Sequence, residues 1–227
     1  MRTSPSRGPK QRPPLAIADP AATARTGEPA RLAVLPLPPE LPRVPPCPRV
    51  LQLTDGDCVS YGLADGTGRS RASDQEMRSC LNRVHATAAL FDPHARIRCA
   101  VSAETASHHL DVLTAARNNF FTIRGGLDGA AGALLEELTD LIDTRLMATR
   151  PRRKRPARHA DLVILVARDE IYTPPVMQLR LLGIPTWLLV PGRLTAASLR
   201  SAACAISCLG PAACPEPNAT GKDRAAL

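Results

Sequence analysis

The sequence predicts a three-layer α/β/α sandwich built on a five-stranded parallel sheet. Three observations predict it. From residue 49 onward, short β-rich apolar runs alternate with segments of helical period, the pattern of linked βαβ units. The run Leu162-Val-Ile-Leu-Val166 is apolar at every position, as in a central strand covered on both faces. Capping and turn residues (Ser73, Gly125-Gly126, Gly183, Gly210-Pro211) fall between the runs.

The first strand is read over 49–54. After the glycine-containing loop 61–68, Ser73 caps a helix of roughly 74–90, with Glu76 completing a capping box. Met77, Leu81, Val84 and Ala88 give that helix one apolar stripe. Residues 96–101 form the second strand. A helix over 106–117 follows, with Leu110, Leu113 and Ala116 on one face. The third strand is 119–123. Asp128 caps a helix of roughly 129–147 that buries Leu134, Leu138, Leu141 and Leu146 and turns Glu136, Glu137, Asp140 and Asp143 to water. The fourth strand is 161–167. Thr173-Pro-Pro opens a helix ending near Leu182, with Gly183 as its C′ residue. Residues 186–190 form the fifth strand, and Thr195 caps a last helix reaching about Leu209.

This domain, 49–210, is flanked by segments of different composition. Residues 1–48 hold 13 of the 23 prolines and show no helical or strand period, so they read as a disordered, Pro-rich, basic leader. Residues 211–227 read as a short disordered tail. The leader lacks the apolar core of a secretory signal, and no stretch approaches the ~20 apolar residues that span a bilayer. The expectation is a soluble, cytoplasmic protein with no membrane partner. The seven cysteines include no CxxC pair and no nearby histidine completes a zinc set, so they read as reduced core or surface thiols.

The net charge of +8 is unevenly placed: +4 in 1–48, −3 in 49–149, +6 in the nine residues 150–158, and +1 beyond. The domain is thus near neutral apart from one basic segment containing Arg152, Arg153, Lys154 and Arg155. That asymmetry points to a polyanionic partner; the alternative is a solvated basic loop. With three Phe, two Tyr and one Trp, base stacking has few platforms, so RNA binding would be mainly electrostatic and salt-sensitive. The 62–68 loop lacks the Gly-Lys-Ser/Thr ending of a P-loop. His108-His109 lacks the i, i+4 spacing of a metal pair and reads as an exposed helix start.

Two strands end in acid, Asp55-Gly-Asp57 after the first and Asp169-Glu170 after the fourth. The carboxyl edge of an open α/β sheet is where ligands bind, and carboxylates gathered there suit Mg²⁺ or Mn²⁺. Two other roles are open, a turn at Asp55 and an N-cap at Asp169.

The succession Leu53-Thr-Asp-Gly-Asp-Cys-Val59, Arg124-Gly-Gly-Leu-Asp-Gly-Ala-Ala-Gly-Ala-Leu-Leu135, Leu162-Val-Ile-Leu-Val-Ala-Arg-Asp-Glu-Ile-Tyr172 and Leu179-Arg-Leu-Leu-Gly-Ile-Pro-Thr-Trp-Leu-Leu-Val190 resembles a NYN domain. NYN domains belong to the PIN-like superfamily of metal-dependent ribonucleases. The resemblance covers about residues 49–210 and implies a PIN-like Rossmannoid fold with strand order 3-2-1-4-5. It implies an acidic pocket with Asp55 and Asp169 as catalytic metal ligands, Mg²⁺ or Mn²⁺ as cofactor, and RNA as partner. The chain departs from the pattern at Cys58, where the family has Asn, and at Ala131 and Ile171, where it has Asp. It also carries Ala167-Arg168 in place of Ser-Gly, and Tyr172 in place of Phe. Asp57, Asp128 and Glu170 are the candidate substitutes, and Arg168 could neutralise a neighbouring acid. Two functions follow: a Mg²⁺/Mn²⁺-dependent RNA endonuclease, or a catalytically impaired module that binds RNA or a protein partner. If the Asp55 and Asp169 carboxylates lay more than ~8 Å apart, one ion held ~2.1 Å from each oxygen could not bridge them without rearrangement.

Overall fold

Six parallel strands form one sheet in the order β3-β2-β1-β4-β5-β6 in the computed structural model, which describes residues 35–42, 44–115, 121–125, 129–148 and 159–209. The strands are β1 (Val50–Asp55), β2 (Arg96–Ser102), β3 (Phe121–Arg124), β4 (Leu162–Val166), β5 (Thr186–Val190) and β6 (Ala205–Cys208). Seven α-helices are described: α1 (Gly56–Gly62), α2 (Asp74–Phe91), α3 (Ala103–His108), α4 (Leu110–Ala115), α5 (Gly129–Ala148), α6 (Thr173–Leu181) and α7 (Ala197–Ala202). Strand alternation sorts the core onto two faces. Val50, Cys99, Val101, Leu162, Ile164, Val166, Trp187 and Leu189 face α2 and α4. Leu51, Leu53, Ala100, Val163, Leu165, Leu188 and Val190 face α5, α6 and α7.

The chain leaves β1 in one direction through β2 and β3, then returns to lay β4 on the other side of β1, pairing Leu53 with Leu165 and Thr54 with Val166. The crevice between β1 and β4 is therefore the sheet's switch point, where neighbouring connections diverge and leave the strand ends accessible.

The sheet has six strands where five are expected. The last helix stops at Ala202, and Ala205–Cys208 pairs with β5, with Trp187 Nε1–H donating to Ser207 Oγ at 3.0 Å. A short run of Ala, Ser and Cys has too little period to separate helix from strand, and pairing with β5 decides it. The helix expected over 106–117 is broken into α3 and α4 at His109. His109 is fully buried rather than exposed, while Leu110 is exposed. In α5 Ile142 is buried and Leu146 is exposed, and Glu137 pairs with Arg96 and Arg98 instead of facing water freely. Packing also starts before residue 48: Leu35 is buried in the α2-side core and its N–H donates to Thr87 Oγ1 at 3.4 Å. Cys208 is disulfide-bonded, not a thiol. The Ser73–Glu76 capping box is present, and Gly183 follows α6 at φ +75°. Among the described residues no helix is long and apolar enough to cross a membrane. Residues 1–34, Asp128, Arg152, Arg153, Lys154, Arg155 and the tail 210–227 lie outside the described residues.

Candidate metal centre

Asp55 is the last residue of β1 and the N-cap of α1. The strand turns into the helix with no intervening loop because residue 56 is glycine. A Cβ there would run into Val101 Cγ1 and lie 3.1 Å from Ala100 O, both on β2. The turn seals the Asp55 side chain inside, 2% exposed. Its Oδ1 accepts from the Cys58 N–H at 3.0 Å and its Oδ2 from the Tyr172 hydroxyl at 2.7 Å. Burial holds this carboxyl above the usual carboxylate range, and the hydrogen bonds from Cys58 and Tyr172 oppose the rise.

Asp169 lies beyond the end of β4 and is exposed, with no cap bond from its side chain. Its Oδ2 accepts from the Cys58 thiol at 3.3 Å. Burial, then the charges of Asp55 and Asp169, push that thiol up, so Cys58 is the donor of the pair. Its sulfur also accepts from the Arg168 backbone N–H. One ligand atom from each of Asp55, Cys58 and Asp169 lies within 4.8 Å of the other two. Oxygens held ~2.1 Å from one ion lie at most ~4.2 Å apart, so a spread of this size needs only a small inward closure to take a shared ion. Asp55 caps and lines the pocket at once, because a carboxylate has lone pairs enough for both.

The remaining sequence candidates separate. Asp57 lines the same cavity of about 200 Å³, but its carboxylate accepts from Ser102 N–H at 3.0 and 3.2 Å and from Ser102 Oγ at 3.0 Å, tying α1 to the end of β2. Glu170 is exposed, in the 3-10 turn Glu170–Tyr172, and outside the three-residue cluster. Ala130 and Ala131 form a carboxylate-free wall of the cavity. Ile171 is 40% exposed. Arg168 also lines the cavity, yet its ion pair, at 3.7 Å, is with Asp65 rather than with Asp55 or Asp169.

Cys58 and Tyr172 are departures from the NYN pattern in the sequence, yet in the fold both hold Asp55. The available signal was placement: a residue three positions past a strand-end Asp sits where an N-cap bond forms, and so beside that Asp. A second polar chain runs through α1 with no signature in the sequence. Ser60 Oγ lies 3.0 Å from His109 Nε2, and His109 Nδ1 lies 2.7 Å from Asp74 Oδ1.

No protein-family model matches this chain, and no curated protein matches it. Among solved structures it is similar to a protein of unknown function from Vibrio parahaemolyticus, at 14% identity over 73% of this chain and 95% of that one, with a TM-score of 0.43.

Proposed function

We propose that this chain is a NYN-like, PIN-superfamily ribonuclease that works with one divalent cation and fewer acids than the family pattern. The observation that carries the reading is the convergence of Asp55, Cys58 and Asp169 within 4.8 Å at the carboxyl ends of β1 and β4. The two carboxylates suit a hard divalent ion such as Mg²⁺ or Mn²⁺, and Cys58, held as a neutral thiol, would join them only by giving up its proton as the ion binds. When bound, such an ion supplies charge neutralisation at a phosphate and an acidified water. The protein's own part is to hold Asp55 rigidly through Tyr172 and Cys58, and to present Asp169 from the exposed side.

The test is cleavage of single-stranded RNA in Mn²⁺ by wild type, Asp55→Asn and Asp169→Asn. The expected loss in each variant is at least ~100-fold, since each removes a direct ligand and altering an outer partner alone costs about 10–100-fold. Equal cleavage by all three proteins would sink the metal mechanism.

A second reading is an impaired module that binds RNA or a protein partner without cutting. It is favoured by Asp57 being held by Ser102 and by alanine at 131 on the cavity wall. Under it, wild type binds Mn²⁺ without cleaving, and Ala131→Asp gains cleavage. Robust cleavage by wild type rules it out.

A further inference from the structure

We propose that Arg168 is a phosphate-binding residue of this cavity, holding a non-bridging oxygen of the RNA backbone beside the Asp55–Cys58–Asp169 cluster. The inference rests on the proposed function and adds a substrate contact to it. Among the described residues Arg168 is the one cation lining a cavity that also carries three aspartates. An anionic backbone entering there meets repulsion from the acids, and this guanidinium opposes it. Arg168 is placed rather than loose. Its backbone N–H donates to Cys58 Sγ, its carbonyl accepts from Ala196 N–H at 2.8 Å, and its side chain is 26% exposed.

The guanidinium is held without being saturated. Its ion partner is Asp65 Oδ2 at 3.7 Å, beyond hydrogen-bond reach, and among the described residues it makes no hydrogen bond. The Asp65 oxygen is itself buried with no hydrogen-bond donor. Its seat is built into the fold: a Cβ at position 192 would lie 2.5 Å from Asp65 Oδ2 and 2.5 Å from Gly62 O, so only glycine lets the carboxylate occupy that place. Asp65 thus fixes the charge by attraction while leaving the N–H fork free for an acceptor in the cavity. A planar fork with free donors matches two phosphate oxygens. Arg168 does not serve as the neutraliser of Asp55 or Asp169, because its ion pair is with Asp65.

The experiment measures two affinities on the full chain at fixed salt. One is for a short fluorescent single-stranded RNA, by anisotropy in Ca²⁺ to suppress turnover. The other is for Mn²⁺, by electron paramagnetic resonance. Arg168→Gln is expected to weaken RNA binding about tenfold or more while Mn²⁺ binds as tightly as in wild type or tighter. Arg168→Lys keeps the charge, loses the fork, and falls between. Arg180→Gln, on the exposed side of α6, controls for net charge and is expected to stay within about twofold of wild type. The proposal is overturned if Arg168→Gln and wild type have the same RNA affinity, including none in both, or if Arg180→Gln loses as much. Thermal melts of each variant show that the comparison is made between folded proteins. Absence of Mn²⁺ binding by wild type sinks the metal reading instead, and leaves a tenfold loss in Arg168→Gln standing as evidence for the phosphate contact.

Discussion

Helix α1 takes part in two polar constellations, and they differ in one physical respect. Ser60, His109 and Asp74 form a hydroxyl–imidazole–carboxylate chain with bonds of 3.0 and 2.7 Å, the order found in nucleophilic hydrolases. Asp55, Cys58 and Asp169 form a cluster of similar size. In the first the hydroxyl and the imidazole are sealed: Ser60 and His109 are both 0% exposed and each ring nitrogen of His109 has a partner, while the Asp74 carboxylate reaches the surface. A nucleophile must meet its substrate, so a sealed hydroxyl is a strut joining α1, the start of α2 and the α3–α4 corner. The second opens on a cavity through an exposed Asp169. Access and spare lone pairs, not the inventory of residues, separate a site from a brace.

The largest effect is expected at the open cluster. Mn²⁺ is expected to raise the melting temperature of wild type by binding the folded state, and Asp169→Asn is expected to abolish that increment while leaving the metal-free melt nearly unchanged. A metal-induced rise that survives in Asp169→Asn removes that residue from the site. At the closed chain the effect falls on folding. His109→Ala leaves a buried hydroxyl unpaired and opens a cavity, and denaturant unfolding is expected to show a loss of about 2–4 kcal/mol. Its Mn²⁺ affinity stays within about twofold of wild type. A stable His109→Ala protein that no longer cleaves RNA would reverse the assignment of the two clusters.

Ser60→Ala is milder, at about 1 kcal/mol in the same unfolding measurement, with cleavage retained. The smallest effect concerns pH. Burial raises the Asp55 pKa, so the folded chain holds that proton more tightly than the unfolded one. Asp55 therefore contributes stability at acid pH that is lost as pH rises through its raised pKa. Asp55→Asn lacks this loss. Its melting temperature relative to metal-free wild type is expected to climb from about pH 4 to pH 7, the interval above the ordinary carboxylate pKa. A gap that stays flat or shrinks with pH contradicts the buried, functionally strained carboxylate.

Much of the scaffold was legible because its signals are local. The strand at 162–166 is apolar throughout, Ser73 and Glu76 cap α2, and Thr173-Pro-Pro starts α6 where expected. The errors fall where a distant partner outweighs a weak local preference. Ala205–Cys208 leaves the helical path because β5 has an edge to pair. His109 interrupts a helix because Ser60 and Asp74 converge on its ring. Leu35 belongs to the core although prolines surround it, because the α2 face holds it.

Acids at the ends of two buried strands, and helices covering a parallel sheet on both faces, are already written in the order of the residues. Hydrophobic period and capping chemistry act over a few residues and can be read from neighbours in the chain. That β4 lies against β1, bringing Asp55 and Asp169 together across 114 positions of sequence, comes from the folded arrangement alone. That arrangement also decides that Cys58 joins them, that Ser102 holds Asp57, and that Arg168 faces the cavity without neutralising them. Those outcomes depend on strand order and on which side chains reach one another in space, and no local pattern encodes that.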